Sequence, residues 1–304
     1  MGGKKRLRLD RLLVERGLFE DEVEAARWVL AGKVIVGGLR VDKPGTPVDA
    51  TAEVRVKGLD NPYVGRGGLK LAWALADFRV DVRGRVCLDA GASTGGFTDC
   101  LLQHGAAMVY AVDVGHGQLD WKLKTDPRVV DMERTNLSEL TPADLPQLPS
   151  LATLDLSYLS LRVGVPTAAA LLGAGPEGGA PDPRGPVPGA EPAVIALVKP
   201  LFELRANAVE SFDQHREVLE GLIEFFLNGD FGGRGPLPVR DVTASPILGS
   251  GKTIEFFLHV GRFGEGRSGA DGTDPGAADI RRPDLTARLD RALEMAARLK
   301  GGQP

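Results

Sequence analysis

Apolar positions along the chain change their period twice. From Leu9 to Leu30 they recur at helical spacing, first as Leu9, Leu12 and Leu13, then as Val23, Ala26, Trp28, Val29 and Leu30. Gly17 ends the first of these helices. Asp21, with Glu24 three residues on, makes a capping box for the second, and Gly32 stops it. The spacing then shortens. Val34 to Val36 is a solid apolar run, Gly37-Gly38 turns into Val41, and Lys43-Pro-Gly45 turns again. Ala52, Val54 and Val56 alternate with Glu53, Arg55 and Lys57. The pattern predicts two short helices and a small sheet, an α+β module over residues 1–59.

Beyond Asp60-Asn-Pro62 the pattern is of another kind. A helix with Leu69, Trp73 and either Leu75 or Ala76 on its inner face leads into apolar runs at 86–88, 108–112, 129–130, 151–156, 193–198, 242–243 and 253–260. Helical stretches separate most of them, among them one at 167–172 and a long one from Asp213 to Phe226 with Val218, Leu219, Leu222, Ile223 and Phe226 inward. Solid strands between helices predict an α/β domain with a mixed, mainly parallel sheet covered on both faces. The expected division is a linker at 60–66 and a main domain at 67–262, the latter carrying a flexible Gly- and Pro-rich insertion at 173–191. Residues 263–304 follow as a flexible segment and a terminal helix striped by Leu289, Ala292, Leu293 and Ala296.

Composition narrows the function. The chain has 304 residues, 43% of them hydrophobic, enough for a substantial core. No apolar run approaches the roughly 20 residues that span a bilayer, and the basic N-terminus has no apolar core behind it. A cytoplasmic protein without a membrane partner is expected. Its two cysteines, Cys87 and Cys100, read as buried thiols, and no metal site is expected. A net charge of -4 gives no global argument for nucleic acid, so any such contact is local. Arg6, Arg8 and Arg11 follow Lys4 and Lys5, and Arg16, Arg27, Lys33 and Lys43 extend the set along the module. With Arg66 at the junction they are the candidates for a phosphate backbone.

The chemistry gathers around Arg85-Val-Cys-Leu-Asp-Ala-Gly-Ala-Ser-Thr-Gly-Gly-Phe-Thr-Asp99. A strand, a turn built on Gly91, Gly95 and Gly96, a helix opening near Phe97, and a second strand ending in Asp113 form the plan of a nucleoside site. An acid after the second strand accepts hydrogen bonds from a ribose diol. A dinucleotide turn wants glycine where Ser93 stands. Asp89 at the strand end suits a cationic amino-acid portion better than a diphosphate. Asp89, Gly91, Ser93, Thr94, Gly95, Gly96, Phe97 and Asp113 therefore favour S-adenosylmethionine over NAD, with a purely structural turn as the other reading. Asp131, Met132 and Glu133, after the third strand, are candidates for the adenine edge.

Four charged residues stand in apolar surroundings. Lys70 lies in the first turn of a helix, where the dipole disfavours a cation. Asp155 and Lys199 end apolar strands, and Glu255 sits within an apolar run, where a carboxylate is expected to be paired. Together with the glycine turn they resemble the Lys-Asp-Lys-Glu tetrad of FtsJ-type ribose 2'-O-methyltransferases. The segments Arg8 to Gly17, Ala31 to Gly38 and Lys43 to Thr46 resemble the RNA-binding module of the fourth small-subunit ribosomal protein. The combination looks like the TlyA family, long labelled haemolysin A. The likeness is carried by Tyr63-Val-Gly-Arg-Gly-Gly-Leu-Lys70, Leu154-Asp-Leu-Ser-Tyr-Leu-Ser160, Leu197-Val-Lys-Pro-Leu-Phe-Glu203, Ser245-Pro-Ile247 and Ile254-Glu255-Phe256.

The resemblance implies a Rossmann-like S-adenosylmethionine-dependent methyltransferase that modifies cytidine ribose in 16S and/or 23S rRNA within ribosomal subunits. Lys199 becomes the base, with Lys70 beside it and Asp155 and Glu255 orienting the ammonium groups. Gly65, Leu201 and Thr253 depart from the family's usual Ser, Gln and Asn, and Asp21-Glu22 stands where Ser-Arg is usual. Two other readings stay open on the sequence: an RNA-binding assembly protein with little or no methylation, and a membrane-active haemolysin.

Overall fold

The computed structural model describes residues 6–16, 18–19, 21–57, 61–173, 191–204, 211–233, 235–261 and 282–301. Lys4, Lys5, most of the 173–191 insertion and most of the segment after Gly261 lie outside them. The chain divides into two compact units, 1–62 and 63–304.

The first unit contains β1 (Arg6–Arg8), α1 (Leu9–Glu15), α2 (Glu22–Leu30), β2 (Val34–Val36), β3 (Leu39–Val41), β4 (Pro47–Asp49) and β5 (Val54–Val56). Its three-stranded sheet runs β3-β2-β5, antiparallel throughout. A separate antiparallel pair, β1 with β4, was not expected, because a strand of Arg-Leu-Arg carries one apolar residue and no readable alternation. Asp21 caps α2 by accepting the Glu24 N–H at 2.7 Å. Leu9, Leu12, Leu13, Ala25, Val29, Val34 and Val56 fill the core. Val23 and Leu30, expected inside, are exposed: the buried line of α2 is Ala25–Val29, and a helix this short hides only one narrow stripe.

The second unit opens with α3 (Gly67–Asp77). Then come β6 (Val86–Ala90), α4 (Gly96–Gln103), β7 (Met108–Asp113), α5 (Trp121–Lys124), β8 (Val129–Glu133) and β9 (Leu151–Leu154). They are followed by α6 (Leu161–Leu171), β10 (Ala193–Val198), α7 (Pro200–Glu203), α8 (Phe212–Asn228), β11 (Val239–Ala244), β12 (Phe256–Gly261) and α9 (Arg282–Leu299). The seven strands lie in the order β11-β12-β10-β9-β6-β7-β8. Only β12 runs against its neighbours.

Both faces are covered, which is why β10 reads as unbroken Ala-Val-Ile-Ala-Leu-Val. Ile195 and Leu197 share a core with Leu71, Leu75 and Leu101 of α3 and α4, while Val194, Ala196 and Val198 share one with α6, α8 and α9. Residues 63–66, expected as linker, are folded into this unit: Tyr63 and Val64 pack on the α3–α4 core, and the Val64 N–H donates to Asp99 at 2.8 Å. The terminal helix belongs to the same core through Leu285, Leu289, Ala292, Leu293 and Ala296. Ion pairs from Arg288 to Asp241, Arg216 to Asp290 and Arg291 to Asp77 rim it. In α3 the buried apolar residues are Leu71, Ala74 and Leu75; Leu75 is inside as expected, but the stripe bypasses Leu69 and Trp73, and Trp73 is exposed.

Candidate functional site

The order of strands decides where a ligand can lie. From β6 the chain moves outward through β7 and β8, then returns to lay β9 on the other side of β6. Open α/β sheets hold their ligands at the carboxyl edge of such a switch point. Here the two sides touch. Gly91 has φ +86°, and a Cβ added to it would sit 2.5 Å from the Asp155 carbonyl oxygen. The Asp155 N–H donates to Ala90 O at 2.9 Å. The glycine turn and the end of β9 therefore form one continuous wall.

Gly95, at φ +96°, precedes α4 and lies against Leu119 and Leu123, while Gly96 is pressed on the backbone of Gly65 and Gly68. Phe97 is buried in the α3–α4 core. Ser93 and Thr94 are exposed at the rim. Asp113 is half-buried, and its carboxylate accepts the Ser93 N–H at 2.8 Å and the Gly115 N–H at 2.6 Å. A carboxylate has about four acceptor positions, so two remain for hydroxyl donors.

Asp89 corrects the expectation placed on it. It is 0% exposed, and its carboxylate accepts from Thr98 Oγ1 at 2.7 Å and Thr153 Oγ1 at 3.2 Å. Burial pushes it up to about 7, against the pull of those two hydroxyls. It ties β6 to α4 and β9 and has no surface open to solvent. Glu133 is likewise committed: it accepts the N–H groups of Gln118 and Leu119 and pairs with Lys124 at 2.7 Å. The Lys124 contact holds its carboxyl well below the usual range. Asp131 meets the same lysine at 3.3 Å, and Met132 is partly buried against the larger core. Their side chains fix the rim loop, leaving the backbone for any adenine contact.

The other half of the edge carries the four charged residues. Asp155 follows β9 and Lys199 follows β10; their side chains meet at 2.6 Å and are 26% and 24% exposed. Because β12 is antiparallel, with Phe256 opposite Val198, its beginning lies at the carboxyl ends of the others. That reversal brings Glu255 to the same edge, where it meets Lys70 of α3 at 2.5 Å; these side chains are 5% and 11% exposed. A Cβ on Gly249 would collide with the Glu255 carboxylate, so the loop before β12 needs glycine there. Glu203 was not singled out in the sequence. It accepts from Ser160 Oγ at 2.7 Å and from the Leu161 N–H at 2.9 Å, pinning α7 and hence Lys199 to the loop after Asp155. Neither Glu203, Thr98 nor Thr153 has a sequence signal beyond a polar residue at the end or interior of an apolar element.

Of the candidate cations in the first unit, Arg6, Arg27, Lys33 and Lys43 are exposed, with Lys33 lying over the Trp28 ring at 4.8 Å. Arg8 pairs with Asp10 and Arg11 with Glu15. Arg16 donates to the carbonyls of Ala50 and Ala52, which fastens α1 to the turn after β4. Arg40, not expected, is exposed too, and its guanidinium covers Gly32. Arg66 belongs to the second unit and donates to Leu248 O at 3.1 Å.

A doubly wound sheet with one reversed strand, a nucleoside turn at its switch point and paired lysines and carboxylates beside it is the architecture of a Rossmann-like methyltransferase. Comparison with known proteins agrees. Residues 63–231 match the FtsJ-like methyltransferase family, and residues 7–54 match the S4 domain. YqxC of Bacillus subtilis is 43% identical over 88% of this chain and 90% of its own. The Mycobacterium tuberculosis protein named 16S/23S rRNA (cytidine-2'-O)-methyltransferase TlyA is 45% identical over 67% of this chain and 71% of its own. A solved Streptococcus thermophilus structure labelled as a hemolysin superposes with a TM-score of 0.63 at 36% identity, covering 98% of each chain. The chain belongs to the TlyA family of FtsJ-like methyltransferases, with an S4 domain ahead of the catalytic unit.

S-adenosylmethionine is the cofactor of this class, and the residues present fit it. Asp113 keeps acceptor positions that would suit a ribose diol, and Ser93 and Thr94 stand open beside it at the rim. When bound, the cofactor supplies an electrophilic methyl group.

Proposed function

We propose that this chain methylates the ribose 2'-oxygen of cytidine in ribosomal RNA, in the 16S or 23S molecule or both, within ribosomal subunits. The observation that carries the reading is the meeting of Lys199 with Asp155 and of Lys70 with Glu255 at the carboxyl edge of one sheet, beside the glycine turn. A ribose hydroxyl is a weak acid, so a base held at the acceptor oxygen lowers the barrier. Lys199 in its amine form takes the hydroxyl proton at Nζ. Asp155, 2.6 Å away, then stabilises the ammonium that results. Lys70, held by Glu255, places a second positive charge nearby, which favours an oxygen that is becoming anionic. The S4 domain and the exposed cations Arg6, Arg27, Lys33 and Lys43 support RNA as the partner.

The test is transfer of a radiolabelled methyl group to unmodified 30S and 50S subunits and to naked rRNA, with 2'-O-methylation mapped afterwards. Label on a ribose of either subunit supports the reading and identifies the acceptor. Failure to label any RNA, with rRNA binding intact, would leave a binding protein instead. Lys199→Ala is expected to lower the rate by about 10²- to 10⁴-fold while S-adenosylhomocysteine still binds.

A further inference from the structure

Trp121 is 73% exposed, more than any other aromatic side chain among the described residues with large exposed surface. Its backbone is nevertheless held firmly. Leu119 and Leu123 on either side are buried and lie against Gly95. The Asp120 N–H donates to Thr94 O at 3.1 Å, Asp120 caps the Lys122 N–H at 2.9 Å, and Thr125 Oγ1 donates to Trp121 O at 3.0 Å. The indole is thus an exposed flat surface on a rigid mount, attached directly to the glycine turn. Such a mount keeps the ordering cost of a stacking contact low.

The rim continues from there. Thr94 lies against Gly65, Arg66 follows and reaches Leu248 O, and the loop it grips ends in Gly251 and Lys252. Lys252 is exposed and holds φ +60°, a left-handed conformation that costs a non-glycine residue about 1 kcal/mol or more. Among the described residues neither Lys122 nor Lys252 has a carboxylate partner. Of the acids along this rim, Asp120 accepts the Lys122 N–H and Glu133 and Asp131 pair with Lys124. An aromatic plane interleaved with outward cations is complementary to single-stranded nucleic acid, whose bases stack while its phosphates meet the charges.

We propose that this rim is a second RNA-binding surface on the catalytic unit itself, with Trp121 stacking on an unpaired base and Lys122, Arg66 and Lys252 meeting the flanking phosphates. The inference rests on RNA being the substrate, and its test is separable from that reading.

Trp28→Phe with Trp73→Phe leaves Trp121 as the single tryptophan of three. Titrating that chain with a 12-residue oligocytidylate is expected to quench its fluorescence, and less so as salt rises. Quenching by S-adenosylhomocysteine alone, with none from the oligonucleotide, would make the indole a cofactor cover and overturn the proposal. In methyl transfer to ribosomal subunits, Trp121→Ala is expected to raise the KM for RNA about tenfold, with kcat and S-adenosylhomocysteine affinity unchanged. Lys252→Gly removes the charge while suiting the left-handed backbone. It is expected to leave stability intact and to reduce the log–log salt slope of oligonucleotide binding by about 0.7. Wild-type RNA affinity in both variants would overturn the proposal. A wild-type chain that binds the oligonucleotide through Trp121 but methylates no rRNA would refute the proposed reaction and leave the surface standing.

Discussion

The two lysine–carboxylate pairs at the catalytic edge have the same chemistry and opposite surroundings. Lys70–Glu255 is nearly enclosed, at 11% and 5% side-chain exposure, and is built from a helix and the start of the reversed strand. Lys199–Asp155 has about a quarter of each side chain open and joins the ends of two neighbouring parallel strands. A buried pair is costly to break, because removing one partner strands the other charge in low dielectric. A half-open pair is cheap to break, because water replaces the missing partner. The enclosed pair is therefore part of the framework, and under the proposed mechanism it is the open pair that has room to meet substrate.

The largest effect that sharpens this contrast is on the open side. Lys199→Ala is expected to lose about 10²- to 10⁴-fold in rate, with a change of about 1 kcal/mol or less in stability. A thermal melt and a single-turnover assay on the same preparation separate the two quantities. On the enclosed side, Glu255→Gln is expected to cost about 3 kcal/mol of stability as well as activity, a melting shift of about 6–12 °C in a unit of this size. Replacing the pair together, Lys70→Met with Glu255→Leu, is expected to recover most of that stability and none of the rate. If the double variant melts as low as the single one, the pair is held by something other than its charges.

What the sequence made legible follows the same division. The central strands β6, β7, β9 and β10 were readable because each is a mostly apolar run between helices, and β10 occupies the expected residues 193–198. The four charged residues stood out because each interrupts apolar sequence. Their pairing was not legible: it depends on β12 running backwards, which turns the beginning of a strand into part of the carboxyl edge. Burial of Asp89 was missed for a related reason. Its hydroxyl partners, Thr98 and Thr153, come from a helix nine residues on and a strand sixty-four residues on, and neither spacing has a sequence signature. Helix phase failed where the stripe is narrow, at Trp73 and at Val23 and Leu30. In α6, where 167–172 was expected to continue a helix without a stated start, the helix begins at Leu161 and runs through Pro166 to Leu171.

Asp89 and Asp155 extend the contrast to single acids, and here the expected effect is smallest. Asp89 has hydroxyl donors but no cation, and burial raises it to about 7. Between about pH 4 and 7 the folded chain then holds a proton that the unfolded chain has released, so its contribution to stability falls as pH rises. His259 acts in the opposite sense. Burial, with Arg240 and Arg85 nearby, brings its imidazole down to about 4, so between about pH 4 and 6.5 the unfolded chain binds the extra proton and stability rises with pH. Each slope is at most about 1.4 kcal/mol per pH unit, and over the shared window they oppose each other. Asp89→Asn keeps the shape and removes one of the two. Urea midpoints at pH 4.5, 5.5 and 6.5 are expected to climb more steeply in the variant than in the wild type. Parallel lines would mean that Asp89 ionises as an ordinary surface acid does, and that the wall between β6 and β9 holds a charge the two threonines suffice to solvate.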